Sequence, residues 1–520
     1  MKKRFNVTGV CFPAEHYMAD SSAKYARMLE MVEQGDYFTI NRPRQYGKTT
    51  ALFQITETLN ATGKYLALRI SFEGVGDLPF ENEASLSKTF IFLLAKACKR
   101  ADYKLSEWID QQEDSVDSFS KLSDTISLLV EKSERKVVLL IDEIDKSSNN
   151  QLFISFLGLL RNKYLERTEA PTFHSVILTG VHDVKTLKLK LRPGEEQKYN
   201  SPWNIAADFE VDMNFNPGEI QPMLEEYARD RDVSVDAKAV AERLFYYTSG
   251  YPFLVSKLCK IFDEKLLPQK TESTWTTRDV DEVASQLVRE SNVNFDELIK
   301  NIRNNPELYQ LIERLLIEGQ ELSFDPHADL INLGLVFGIF AKQNHRLAIH
   351  NRIYREVIFN YMSVNAEHKS NISGSENANA YCMPGNRFNI QKALLKFQEL
   401  MKAEYHKKER DFLERQGRLV FLAFLKPILN GHGHAFKEPQ ISEEKRLDVL
   451  ITYYQHRYVI ELKLWRGQQA HENGLEQLTN YLDSLGLEEG ALLIFDHSEV
   501  KDWKMEEIVH NGKKIFAVWV

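Results

Sequence analysis

Two hydrophobic rhythms divide this chain. Largely apolar runs recur at residues 37–40, 65–72, 137–141 and 173–180, and the five residues of 137–141 are apolar without a break. Each suits a strand buried on both faces, as in a parallel sheet. Between them, apolar residues recur at helical spacing over 25–33, 49–59, 85–100, 115–132 and 150–164. Strand and helix alternating in this way predict an α/β fold, a parallel sheet with helices on both faces, over residues 1–215. From 216 the strand pattern stops. Helical patterns at 217–229, 235–247 and 252–265 predict a helical lid over 216–300. Patterns at 311–317, 328–334 and 347–359 predict two or three helices and a small β-hairpin, compatible with a winged-helix-like unit over 301–362.

Residues 363–388 change character, with Asn, Ser, Gly and Ala dominating 371–379. This composition predicts a flexible linker. Residues 389–520 then have the size of a separate small α/β domain. Helical patterns lie at 388–404, 409–430 and 470–485. Strands are predicted at 445–452, 457–464, 491–496 and 516–520, with a hairpin turn at 454–456.

The totals narrow the class. A length of 520 residues implies three or four domains, at ~150 residues each. Apolar content of 43% supplies ample core. The net charge of −9 excludes a protein that coats polyanions generally, so any nucleic-acid surface is local. Cys11, Cys98, Cys259 and Cys382 are widely spaced and form no disulfide or metal pattern. No run approaches the ~20 apolar residues of a membrane span. A soluble, cytoplasmic protein with no membrane partner is expected.

Candidate chemistry begins at Thr39-Ile-Asn-Arg-Pro-Arg-Gln-Tyr-Gly-Lys-Thr-Thr50. Gly47-Lys48-Thr49 sits between a strand and a helix, as the end of a phosphate-binding loop does. Gly47 lets the backbone approach an anion, and amides at the helix start face it. Lys48 reaches the β- and γ-phosphates, and Thr49 can hold Mg²⁺. The usual first glycine is replaced by Arg42, and Pro43 has a fixed φ. Either the loop takes another backbone route, or Arg42 and Arg44 turn their charge toward the phosphates. Gln45, Tyr46 and Thr50 complete the candidate nucleotide contacts. The competing reading is a turn capped by threonine.

The run Val137-Val-Leu-Leu-Ile-Asp-Glu143 delivers two carboxylates to the C-terminal end of a buried strand, where α/β sheets place ligands. Asp142 would bind Mg²⁺, and Glu143 would orient and deprotonate the attacking water. Thr179 ends another strand, as a γ-phosphate sensor or as a threonine satisfied in a turn. Arg161 and Arg167 are both candidates for an arginine finger in an oligomer. In Thr248-Ser-Gly-Tyr-Pro252, Gly250 and Pro252 form a stiff loop at a helix start, which either packs on the nucleotide or joins two helices.

In the last domain Glu461 and Lys463 stand two apart on one strand, so they share a sheet face. Ile460, Leu462 and Leu464 take the other. Charges inside an apolar strand are costly without work or partners. Asp448 on the preceding strand can sit across from them. Two carboxylates and a lysine can hold divalent ions and set a water in line with a phosphodiester. A cross-strand salt bridge is the other reading.

Residues 1 to about 362 resemble bacterial AAA-like ATPases of the STAND-related kind. The resemblance rests on the Arg-Pro-Arg approach to Gly47-Lys48-Thr49, the Asp142-Glu143 pair, Ser201-Pro-Trp-Asn-Ile205 and the Thr248/Gly250/Pro252 loop. That family shares the missing first glycine. Residues from about 389 to 520 resemble a PD-(D/E)XK nuclease-superfamily domain. There Asp448 matches the first metal carboxylate and Glu461-Leu-Lys463 the E-x-K motif. Leu447 stands where the superfamily usually has proline. Glu414, or else Glu409, matches a helical glutamate, and Gln477 with Tyr481 a polar helix behind the site. The two resemblances together imply ATP and Mg²⁺ as cofactors and ATP hydrolysis that controls a nuclease. They also imply a nucleic-acid partner, DNA more than RNA, a possible homo-oligomer, and a role in defence. The alternative is a nucleotide-driven switch whose last domain only binds nucleic acid or protein.

Overall fold

The computed structural model describes residues 2–144, 151–180, 207–209, 211–316, 320–370, 378–405, 417, 420–422, 424–425, 428–429, 433–437, 440–442, 445–446, 449–465, 468–496, 498 and 502–520. It divides into two units, Met1–Leu308 with Leu322–Arg355, and Tyr309–Glu321 with Glu356–Val520.

The first unit is built on five parallel strands: β1 (Tyr37–Asn41), β2 (Tyr65–Ser71), β3 (Lys136–Asp142), β4 (Ser175–Gly180) and β5 (Ala207–Asp208). Their order is β2-β3-β4-β1-β5. The α/β reading therefore holds, with a parallel sheet and helices about it. Five of the seven β3 residues, Val137 to Ile141, are fully buried, so both faces of the strand are covered. Packed against one face, Phe72, Phe90, Phe153 and Phe156 join in edge-on and tilted contacts.

The parallel register brings all C-terminal ends to one edge. Ile40 is level with Thr179, Asn41 with Gly180, and Ser71 with Asp142. Flanking helices begin where side chains take up orphan amides. Asn82, Ser118 and Asp236 each accept an N–H from the first turn of the helix that follows. Such a cap stabilises by about 1 kcal/mol.

Capping also explains two differences from expectation. The helix read at 115–132 begins at Phe119, where Ser118 caps it. Asp102 starts a short helix, Tyr103–Asp110, in the gap between the two patterns read at 85–100 and 115–132.

After the sheet come the helices Pro217–Arg231, Ala237–Thr248, Pro252–Ile261 and Thr277–Arg289. The strand pattern does not stop entirely there, since Ser234–Val235 pairs in parallel with Thr274–Trp275. Trp275 stacks on Phe262 with centroids 4.1 Å apart. The helix Val293–Arg303 follows. The hairpin Phe340–Gln343/Arg346–Ile349 lies between the helices Asp329–Val336 and Arg352–Ser370. The run 347–359, read as helical, thus begins in a strand.

In the second unit six strands form a sheet in the order Gly433–Lys437, Val449–Tyr453, His456–Leu464, Glu489–Phe495, Lys513–Trp519, Met505–His510. The middle three are parallel and the outer pairings antiparallel. Helix Ile390–Tyr405 packs on one face with Phe421, Leu425, Ile460 and Leu462. Helix Gln468–Leu485 packs on the other with Val459, Leu492 and Ile494.

The strand expected at 445–452 is two pieces. Lys445–Arg446 pairs with Gln440–Ser442, whereas Val449–Tyr453 pairs with His456–Leu464. The presumed linker at 363–388 is ordered at both ends: a helix runs on through Ser370, and Tyr381 and Phe388 are core residues. Polar composition hid those anchors. Residues 371–377, and most of the helix expected at 409–430, lie outside the described residues.

Candidate functional site

The loop after β1 begins with a backbone bond. Arg42 N donates to Gly180 O at the end of β4 (3.1 Å). The Arg42 side chain does not extend along the loop. It donates to Asn41 O (2.8 Å) and Val211 O (2.7 Å), and burial lowers its pKa. Arg44 pairs with Glu297 at 3.0 Å in a half-exposed setting. Gln45 and Gly47 both take positive φ, 60° and 75°. Gly47 caps the helix Lys48–Ala61, and no atom lies within 4 Å of where its Cβ would stand. The helix start is thus approachable by an anion.

Lys48 is buried. Its Nζ donates to Arg42 O (2.7 Å) and Pro43 O (2.8 Å), curling the loop around the ammonium. Thr49 is half-buried in the first helical turn. Thr50 Oγ1 accepts from Cys11 N (3.1 Å), which ties the N-terminal segment to this helix. Beside it, Phe12 meets Phe53 edge-on at 5.2 Å.

Across the edge lie the carboxylates. One strand, β4, separates β1 from β3, so the loop and Asp142 are ~9–10 Å apart across the sheet. That gap suits a phosphate and an ion. Asp142 is buried and accepts from Thr179 Oγ1 at 2.6 Å and from Glu143 N at 3.0 Å. Glu143 itself takes a left-handed φ of 54°, which turns the chain off the strand. Among the described residues no group of three or more His, Cys, Asp or Glu could hold a metal alone. An ion at Asp142 would therefore draw on Thr49, phosphate and water, the coordination Mg²⁺ prefers. The residues present fit such an ion.

A family profile described as AAA-like domain matches residues 10–360. The chain belongs to the AAA-like domain family. An uncharacterized WD repeat-containing protein of Synechocystis is 25% identical over 282 residues, covering 51% of this chain. The chain spans only 22% of that relative's length.

Among solved structures, the Walker-type ATPase PABY2304 of Pyrococcus abyssi aligns at TM-score 0.48 and 14% identity. The alignment covers 68% of this chain and 99% of that one. The RuvB Holliday junction branch migration motor of Thermotoga maritima aligns at TM-score 0.34 and 16% identity, over 65% of this chain and 95% of that one. These similarities concern architecture alone.

In the 248–252 loop of this AAA-like domain, Tyr251 is the residue that bonds to the loop after β1. Pro252 opens its helix at the first position and is buried. Tyr251 Oη donates to Arg44 O at 2.6 Å. Gly250 has φ 75°, and a Cβ there would stand 1.9 Å from Phe215 O. Three further contacts with the loop were not singled out from sequence: Asn294, Gly338 and His350. They stand 249 to 304 positions away along the chain, beyond any local pattern. Arg167 stacks on Tyr164 (4.0 Å) and donates to its carbonyl (2.8 Å).

The second unit holds its own charged centre. Glu461 and Lys463 share the sheet face that meets helix Gln468–Leu485, and Ile460 and Leu462 face the other core. Glu461 is fully buried and pairs with Lys463 Nζ at 2.7 Å. Lys463 Nζ also donates to Gln477 Oε1 (2.8 Å), and Gln477 Nε2 donates to Tyr481 Oη (2.8 Å). The helix backbone comes close at Gly474, where a Cβ would stand 3.3 Å from the Lys463 stem. Asp448 and Glu414 lie outside the described residues.

Proposed function

We propose that this protein binds and hydrolyses ATP with Mg²⁺ at the AAA-like site, and that nucleotide state controls a Mg²⁺-dependent nuclease centre in the second unit. The buried Glu461–Lys463 ion pair, continued by hydrogen bonds from Lys463 to Gln477 and from Gln477 to Tyr481, carries the second half of this reading. A carboxylate taken wholly out of water loses several kcal/mol of hydration. A surface strand has no need of it.

At the first site, Lys48 would exchange loop carbonyls for phosphate oxygens. Thr49 and Asp142 would hold the ion, with Thr179 fixing the carboxylate's orientation. Glu143 would take the proton of the attacking water. Bound Mg²⁺ would offset charge developing on the phosphates. At the second site Glu461, with Asp448 as its expected companion, would hold an ion, and Lys463 would position water against a phosphodiester. The proposed substrate is DNA or RNA, DNA more than RNA, in a cytoplasmic protein for which a homo-oligomer is a possible state. A defensive role rests on analogy alone. Among the described residues no helix is long and apolar enough to cross a membrane.

One observation favours a second reading, a nucleotide-driven switch whose last domain only binds. Lys463 is already neutralised by Glu461. Full-length protein incubated with plasmid and Mg²⁺, with and without ATP, separates the two. Lys463→Ala should abolish cutting and leave ATP turnover intact. Glu143→Gln should bind ATP without hydrolysing it. Undiminished cutting by the first variant removes the nuclease, and wild-type turnover by the second removes Glu143 as base.

A further inference from the structure

The loop residues that replace the usual glycine-rich sequence each meet a different part of the chain. Gly338, with φ 70°, abuts Pro43, so that a Cβ would come within 3.0 Å of its ring. Arg44 O accepts from Tyr251 Oη (2.6 Å). Gln45 Oε1 accepts from Asn294 Nδ2 (2.8 Å). Tyr46, itself buried, meets His350 Nε2 through its hydroxyl (2.7 Å). Four consecutive residues are thus held by the hairpin region, the lid loop, the helix Val293–Arg303 and the residues just before Arg352.

The polar groups form one network whose directions can be assigned. Tyr354 N donates to Asn351 Oδ1 (2.8 Å), which fixes that amide. Asn351 Nδ2 therefore donates to His350 Nδ1 (3.2 Å). Nδ1 is an acceptor, so the neutral ring carries its proton on Nε2 and donates to Tyr46 Oη. Asn294 is the second junction. Its Oδ1 accepts from Tyr354 Oη (2.9 Å), which leaves its Nδ2 to donate to Gln45 and to Tyr251 Oη (3.3 Å). Tyr251 then spends its own proton on Arg44 O.

We propose that Tyr251, Asn294, His350 and Tyr354 are positioning residues for the phosphate loop. They anchor its 43–46 half while Lys48 changes partners, and so favour the backbone shape that accepts phosphates. This rests on the nucleotide reading above. The helix Asp329–Val336 agrees with such a role. It carries an acidic residue and no basic one, unlike a helix made to enter a DNA groove. The winged-helix-like region grips the nucleotide loop.

The test uses the full-length protein and Tyr354→Phe, which removes one hydroxyl and touches no loop residue. Tyr37→Phe is the matched control. It deletes an equally buried hydroxyl, bonded to Phe173 O at 3.0 Å, at the opposite end of β1. Hydrogen exchange of amides 44–47 is followed without nucleotide, and Mg·ATP affinity is measured by fluorescent-analogue competition.

Tyr354→Phe should speed exchange of these amides and weaken Mg·ATP about three- to tenfold, the worth of one net hydrogen bond. Tyr37→Phe should do neither. Pairing Tyr354→Phe with Asn294→Ala should add little beyond Asn294→Ala alone. Equal effects from the two Tyr→Phe variants, or unchanged loop exchange in Tyr354→Phe, would overturn the proposal. Wild-type protein that ignores ATP, yet shows the exchange difference, would instead remove the nucleotide reading and leave the anchoring intact.

Discussion

His350→Gln isolates the energetics of the loop's attachment through pH. His350 is buried between Tyr46, the edge of Tyr251 and Asn351, and burial lowers its pKa from 6.5 to about 4, against a smaller upward pull from Asp212. The folded protein therefore keeps this ring neutral where the unfolded chain would protonate it. Above pH 6.5 both states are neutral and the group contributes no pH dependence. As pH falls from 6.5 toward 4 the unfolded state alone takes up the proton, and stability is lost. Below pH 4 both states are protonated and the loss levels off.

A shift of this size corresponds to about 3 kcal/mol. Over a unit of this length that is on the order of 5 °C in unfolding midpoint. Glutamine keeps a donor near Tyr46 Oη but does not titrate. The assay is calorimetric unfolding of wild type and variant from pH 4 to 8. The difference between their midpoints should be flat above pH 7 and should move by several degrees in the variant's favour by pH 4. His16, His174 and His471 also have lowered pKa values, but they are common to both proteins and cancel. Parallel midpoint curves would show that His350 is not held neutral, and the assigned tautomer would fall with it.

Three other substitutions test separate parts of the molecule. Thr179→Val keeps the shape but removes the 2.6 Å bond to the Asp142 carboxylate. It should cost about 2 kcal/mol of stability and lower ATP turnover more than ATP binding, as read by calorimetry and phosphate release. Gly250→Ala drives a Cβ into the Phe215 carbonyl at a positive φ. A loss of about 3 kcal/mol or more in thermal unfolding is expected, and a loss under 1 kcal/mol would mean that the turn can shift. Glu461→Gln leaves Lys463 without its 2.7 Å counter-charge. Urea unfolding of the second unit should show about 2–3 kcal/mol lost, and any plasmid cutting should disappear.

The parallel sheet was legible because burial on both faces leaves largely apolar runs, and the run of β3 is unbroken from Val137 to Ile141. The glycine-lysine-threonine turn and the strand-end aspartate could be read for the same reason: their chemistry sits at fixed offsets from a strand. The sharing of a face by Glu461 and Lys463 follows from a period of two. The rest was set by long-range events. Polar residues between 363 and 388 suggested a linker, although Tyr381 and Phe388 anchor that segment in a core. Arg446 and Val449 lie three positions apart but pair with different partners, which no alternation of side chains could reveal.

The Arg42-Pro43 pair shows why a motif's departures need three dimensions. In the usual loop, glycine permits a tight backbone turn at the first position. Here the turn is secured from outside. Arg42 sends its guanidinium sideways to Val211, its amide bonds to Gly180, and Pro43 rests against Gly338. Pro43 limits the loop's freedom before any ligand arrives, and this lowers the entropy lost on ordering. The positive φ values survive at Gln45 and Gly47, on the side nearest the helix, where backbone amides must point outward. Conformational permissiveness is thus kept where phosphate would be met and replaced by packing where it would not. A glycine restored at position 42 would keep the covalent path of the loop but cut its side-chain link to Val211. Looser nucleotide binding is expected of Arg42→Gly, although it brings the sequence closer to the common motif.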